Sequence, residues 1–418
     1  MSVYAGCVFS GGSEGSRDGF MLGTRGTPQS ILRTTIFAMD PNPWPRRYKV
    51  IVLVSLAVTV LVLGTKVVQF SQKIGTDMFS QHIIEVSYDI DVLGVGGGRI
   101  TLPRTAATER VGLWSIESES AQGQVAEIIS ITDSEVERVF MATEGEFSAG
   151  DKVRLLGDVY FGDPKEALNI TFETVRAISP LGINPAWYVD GDGETWVIYV
   201  HGRTGSGRGE ALRFLPALKE ERLPVLVISY RSDGLAPEAP AASVGWGYDE
   251  WLDIKAAVRF AESEGAKRVV LFGSDLGANA IMTYLHEAGD LTPVAGVVLE
   301  GPVLDVQATV DRAAAEFGIP GILRPFTSGL VRVRYGIDWP DVDQIDRASQ
   351  FDVPILLLAG TEDPLTPMSA VEQFAAAVPD DLVTLVTFEG GLPGTLWNVD
   401  PDVYEAAVLE FVTRLIAS

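Results

Sequence analysis

The chain has 418 residues, 46% of them hydrophobic, with 32 Lys and Arg against 56 Asp and Glu and a formal net charge of −24; that length holds two or three domains with real cores. Residues 1–49 contain six basic and three acidic residues, so the remaining 26 basic and 53 acidic residues leave the body at −27, a surface that repels phosphate backbones and excludes nucleic-acid binding by the body. Cys7 is the only cysteine, which excludes an intramolecular disulfide and any zinc site of cysteine spacing.

Residues 1–45 are rich in Gly, Ser, Thr and Pro without an apolar period, a composition expected to stay disordered. Met39 opens MDPNPWPRRYK and offers a second candidate start. Val50–Thr65 then reads VIVLVSLAVTVLVLGT, without a charge. As helix it spans roughly 24 Å. Val67, Val68 and Phe70, with Lys66 snorkelling, extend it toward the roughly 20 residues a bilayer requires. The apolar residues face all round, unlike an amphipathic core helix, and no small-x-small cleavage site follows, unlike a signal peptide. The expected anchor is 46–70. Arg46, Arg47 and Lys49 crowd its N-terminal flank, which puts the N-terminus in the cytoplasm and the body outside.

Residues 80–165 carry short β-prone stretches: RITL (99–102), GLWSIE (112–117), VAEIISIT (125–132), VERVFMAT (136–143) and KVRLLGDVYF (152–161). Turn residues separate them at intervals of about ten, as in a small sandwich or barrel. No His, Cys or carboxylate cluster there suggests chemistry, so a structural or interaction role is expected. From 169 to 418 strands and helices alternate: WVIYVH (196–201), a helix over 210–221, PVLVISY (224–230), a helix over 250–264, RVVLFG (268–273), a helix from Gly277 to His286, AGVVLEG (295–301), VPILLLAG (353–360), a helix near 370–377, VTLVTF (383–388) and a closing helix through Tyr404–Ile416. Such alternation specifies an α/β fold, a mostly parallel sheet with helices on both faces. The Pro- and Gly-rich segment 304–345 interrupts it as a cap would.

Three places at the carboxyl ends of these strands draw attention. Gly273-Ser274-Asp275-Leu276-Gly277 is a strand-to-helix turn with glycines flanking its centre, which strains the central residue and presents it to a pocket. Thr361-Glu362-Asp363-Pro364 puts an acid after the next-to-last strand. His201-Gly202-Arg203-Thr204-Gly205 is a loop whose backbone N–H groups suit an oxyanion.

On these motifs the chain resembles bacterial, in particular actinobacterial, membrane-anchored α/β-hydrolases with a β-module before the catalytic domain. The resemblance runs from about Ile100 to the C-terminus. It rests on ITLPRT (100–105), YVHGRTGSGRGE (199–210), VISYRSDG (227–234), VVLFGSDLGA (269–278), LLAGTEDPLTP (357–367) and LWNVDPDVYEAAV (396–408). Active members are serine hydrolases of esterase, lipase or peptidase type. The resemblance implies a nucleophile at Asp275, an acid at Asp363, a histidine at Pro393, and oxyanion donors from the backbone of Leu276 and a residue near Arg203.

Two of the three catalytic positions depart from that pattern. Asp275 stands where the nucleophilic serine belongs, and Ser274, one place early, is expected to face away. Pro393 occupies the histidine position and moves no proton. The chain's histidines are His82, His201 and His286. His82 lies beside the membrane, and His286 is expected at a solvated helix end. His201 begins the oxyanion loop and is read as ordering it, with entry into the pocket as the alternative. Asp275 and Asp363 are expected to face one another without a cation between them, which raises at least one pKa. No third ligand accompanies them, so no metal is expected, nor any cofactor.

The expected function follows. A serine hydroxyl without a base is a poor nucleophile, and an aspartate nucleophile still needs a histidine to release its covalent intermediate. The leading expectation is a catalytically impaired, single-pass protein acting outside the membrane as a binding or scaffold module. Its candidate partners are an acyl or lipid-like small molecule and another protein. The alternative is an active hydrolase of ester or related acyl substrates built on Asp275, or rescued by His201.

Overall fold

The computed structural model describes residues 45–79, 87–203, 206–239, 244–379 and 381–417. The tail before residue 45, with Cys7 and Met39, lies outside them, as do His82, Thr204 and Gly205. Residues up to Val58 form one unit, and Thr59–Ser418 a second, compact one.

Helix α1 (Arg46–Met78) is long and apolar enough to cross a membrane, and none of its apolar window is buried. It continues past the expected end at residue 70. Phe70, Ile74 and Met78, at helical spacing, are buried in the core of the second unit, with Val67 packed partly against it. A continuous apolar face therefore keeps the last turns helical. Against that face lies Tyr335, whose hydroxyl donates to Ser71 O at 3.1 Å; a methyl group at Gly75 would collide with it.

A first sheet contains β1 (Ile90–Asp91), β2 (Gly94–Gly96), β3 (Arg99–Pro103), β4 (Trp114–Glu117), β5 (Gln122–Ile131), β6 (Glu135–Glu144) and β7 (Lys152–Leu156), in the order β1-β7-β4-β5-β6-β3-β2. Its two edge strands, β1 and β2, are consecutive in the chain. The linking residues bond both ways: Val92 N–H donates to Asp151 O and Leu93 N–H to Thr101 O, each at 2.9 Å. The sheet is thus closed like a barrel, which removes exposed edges. Ile100, Leu102, Trp114, Ile116, Val125 and Val153 fill it. Expected as a separate module, it packs within the same unit as the α/β domain. Asn398 ties the two together, donating to Leu113 O and Gly157 O, both at 2.7 Å.

After α2 (Pro164–Leu168), a second sheet comprises β8 (Glu173–Ser179), β9 (Gly182–Val189), β10 (Thr195–Val200), β11 (Val225–Ile228), β12 (Arg268–Ser274), β13 (Val294–Glu300), β14 (Ile355–Gly360) and β15 (Val383–Phe388). Its order is β8-β9-β11-β10-β12-β13-β14-β15. β9 runs antiparallel to β11, and the ladders from β11 through β15 are parallel. This is the strand order of the α/β-hydrolase fold. All six residues of β10 are buried, as a strand covered on both faces requires.

Helices α3 (Leu215–Glu220), α4 (Trp251–Ser263), α5 (Leu276–Glu287), α6 (Val306–Glu316), α7 (Arg324–Tyr335), α8 (Trp339–Val342), α9 (Met368–Ala377), α10 (Leu396–Val399) and α11 (Pro401–Ala417) complete the domain. The helix expected over 210–221 is a 3₁₀ turn, Gly207–Arg213, followed by α3. Pro216 lacks the N–H a continuous helix would use and instead opens α3. The excursion over 304–345 folds as α6, α7 and α8.

Candidate active site

The elbow is tight. Asp275 has φ +48° and ψ −116° between β12 and α5, a conformation that costs a non-glycine residue about 1–3 kcal/mol. Its N–H donates to Glu300 O at 2.8 Å, tying the elbow to the end of β13. Glycine is obligatory at 277, because any β-carbon there would collide with the carbonyls of Val200 and His201. Ser274 is fully buried, and its Oγ makes no hydrogen bond among the described residues. Leu276 is buried at the first position of α5, where the N–H has no partner within the helix.

The ends of three neighbouring strands meet at Gly301, just beyond β13. A methyl group on Gly301 would lie 3.8 Å from Asp363 Oδ2 and 3.9 Å from Pro393 Cα. Asp363 Oδ1 accepts the N–H groups of Leu365 at 2.7 Å and Thr366 at 3.0 Å. Burial pushes the Asp363 carboxyl up to about 6, and the charge of Asp275 adds to this against the two N–H groups and Arg312.

Asp275 is only 4% exposed. Its Oδ2 accepts the backbone N–H of Arg203 at 3.0 Å. Arg203 Nε stands 4.0 Å from the same oxygen, while Asp275 Oδ1 is buried without a hydrogen-bond partner among the described residues. The Arg203 guanidinium donates to Asp77 O at 2.9 Å and lies 5.4 Å from the Trp246 ring centre. Two expectations change here. The Arg203 N–H, expected as an oxyanion donor, holds the chain's own carboxylate. A cation does adjoin the acid pair, because the loop that supplies the donor also carries the Arg203 side chain.

His201 does not reach Asp275. Its Nδ1 lies 2.8 Å from Gly202 O and its Nε2 3.3 Å from Asp233 Oδ2, and its ring stacks on Tyr230 at 4.4 Å. Burial opposes its charge, but Asp233 prevails and holds its pKa above the ordinary value. Glu210, pushed up to about 7 by burial, accepts Gly202 N–H at 2.9 Å and the Tyr199 hydroxyl at 3.1 Å. These contacts order the loop. Asp233 and Glu210 were not singled out from the sequence, although both lie within the YVHGRTGSGRGE and VISYRSDG motifs. His286 stands in the last turn of α5, half-buried rather than fully solvated. Its ring centre lies 4.5 Å from that of Phe351, and burial, aided by the charge of Arg347, drives its pKa down to about 4.

Asp363 makes stability depend on pH. Well below pH 4 its carboxyl is protonated, folded or unfolded. As pH rises toward 6 the unfolded chain ionises first, so stability falls, by at most about 3 kcal/mol for a shift of roughly two units. Asp363→Asn keeps the turn acceptor and removes the ionisation. Its urea midpoint is expected to match wild type below about pH 3 and to exceed it near pH 7. A difference that does not grow between those values would mean that Asp363 is not held in this buried site.

Residues 91–156 match a family model described as "Domain of unknown function (DUF8805)". No curated protein matches the chain. Among solved structures it is similar to an esterase of Pyrococcus furiosus, at 22% identity over 61% of this chain and 94% of that one, with a TM-score of 0.49. An esterase from Exiguobacterium antarcticum aligns at 17% identity over 58% and 100% of the two chains, with a TM-score of 0.42. The esterase RhEst1 from a Rhodococcus species aligns at 20% identity over 58% and 99%, with a TM-score of 0.41. The strand order and the elbow, rather than these likenesses, identify the fold.

Proposed function

We propose that this chain is a single-pass membrane protein whose α/β-hydrolase domain lies outside the cytoplasm and binds or scaffolds without turning over substrate. One observation carries the reading: Asp275 Oδ2 occupies the Arg203 N–H, the donor on which a substrate oxyanion would rest. With Pro393 at the histidine position, no imidazole among the described residues stands beside it. An acyl or lipid-like small molecule, or a protein partner, is the proposed cargo.

The alternative, a hydrolase built on Asp275, requires an imidazole to activate water against a covalent intermediate. Both His201 nitrogens face Gly202 and Asp233 instead, and His286 packs on Phe351. The full-length protein in detergent is expected neither to label with a fluorophosphonate probe nor to hydrolyse short acyl esters above a heat-denatured control. Labelling that disappears on Ser274→Ala would overturn the assignment of the elbow. For topology, protease added to intact cells is expected to degrade the body and spare the tail; a protected body would reverse the orientation.

A further inference from the structure

Helix α7 shows an apolar stripe to solvent. Ile322 just before it, then Phe326, Leu330 and Val333, recur at steps of four, four and three and are 82%, 71%, 37% and 81% exposed. Its opposite face, with Thr327, Ser328 and Val331, is buried. The helix carries no acidic residue; of its arginines, Arg324 is half-buried, Arg332 pairs with Asp338 at 2.6 Å, and Arg334 is exposed.

The stripe lies beside the outer end of α1. The Lys66 ammonium comes within 3.6 Å of where a methyl on Gly318 would sit, and the Phe70 and Phe317 ring centres are 5.6 Å apart. At the other end of α7, Tyr335 donates to Ser71 O and stacks on Phe79 at 4.6 Å. Ser71 is five residues beyond Lys66, roughly 7.5 Å along the axis. If the Lys66 ammonium sits among the outer headgroups, the loop that leads into α7 starts in the polar layer, which is about 5–8 Å thick on each side of the hydrocarbon, and Tyr335 seats the far end of α7 on the turns of α1 just beyond it.

We infer that α7 lies along the outer membrane interface, its Ile322–Phe326–Leu330–Val333 stripe dipping into the headgroup–acyl boundary and Arg334 meeting anionic lipid. The inference rests on the single-span reading of α1. An apolar stripe bordered by cations is what binds a helix to such an interface. The cap is thereby a second, monotopic contact that fixes the domain's tilt over the bilayer.

The test uses the full chain in phosphatidylglycerol-containing vesicles, in a Cys7→Ser background. An environment-sensitive fluorophore is placed at Phe326→Cys, Val333→Cys, Leu61→Cys in the span, and Asp192→Cys at the far end of the sheet. Lipids spin-labelled near the headgroup are expected to quench positions 326 and 333 several-fold more than 192, and chain-labelled lipids to quench 61. Quenching at 326 and 333 should weaken in neutral phosphatidylcholine vesicles; equal quenching there would overturn the role of anionic lipid. If 61 is quenched while 326 and 333 behave like 192, the interfacial helix is refuted and the span stands. If 61 is not quenched, the span reading itself is lost. A blue-shifted but unquenched fluorophore at 326 would mean that protein, a second copy or a partner, covers the stripe, and that also refutes the inference.

Discussion

The Asp275→Ser/Pro393→His double variant is expected to label with fluorophosphonate and to hydrolyse short acyl esters about 10²–10⁴-fold faster than Asp275→Ser alone, the range a positioned general base contributes. Three features support this. The serine would inherit a backbone already held at φ +48°, so its oxygen takes the exposed apex of the turn. Removing the carboxylate frees the Arg203 N–H, which with the first N–H of α5 recreates an oxyanion site. The new histidine would stand where Pro393 and Asp363 flank Gly301, with a carboxyl at hand to orient its ring. Asp275→Ser alone gains little, because the hydroxyl proton has no acceptor. A folded double variant that neither labels nor turns over would show that position 393 does not serve position 275.

Arg138→Met is expected to destabilise the closed β-module by several kcal/mol, because it strands buried carbonyls at about 1–3 kcal/mol each. Arg138, on β6, is fully buried. Its guanidinium donates to the carbonyls of Ala126, Thr108, Arg110 and Gly112. Burial lowers its pKa to about 10, which leaves it charged at neutral pH. Methionine replaces much of the volume but no donor, and each stranded carbonyl costs about 1–3 kcal/mol if water does not enter. Urea unfolding of the full chain, followed through the tryptophans, reads the change. A loss below about 1 kcal/mol would mean that water takes over the four acceptors.

Local features were legible in the residues. The uncharged run from Val50 sets a helix that can cross a bilayer, and the strand–helix alternation sets a largely parallel sheet. The glycines around Asp275 set a tight turn, since only they admit the close approach of the neighbouring strand. That Asp275 and Pro393 stand where the resemblance expects a serine and a histidine needed no coordinates. The rest depended on contacts between distant parts of the chain. Arg203 meets Asp275 across 72 residues, His201 meets Asp233 across 32, and Tyr335 meets Ser71 across 264. Patterns of apolar spacing report which face of an element is buried, but not what is buried against it. Hence the packing of Phe351 on His286 and the approach of Arg203 to Asp275 could not be read from the sequence. Periodicity and turn chemistry act over a few residues, so the sequence by itself determined the elements and the tight turn at Asp275. Which donor is occupied, and which helix face lies against the anchor, are set by packing among residues tens to hundreds apart, and only the tertiary structure decided them.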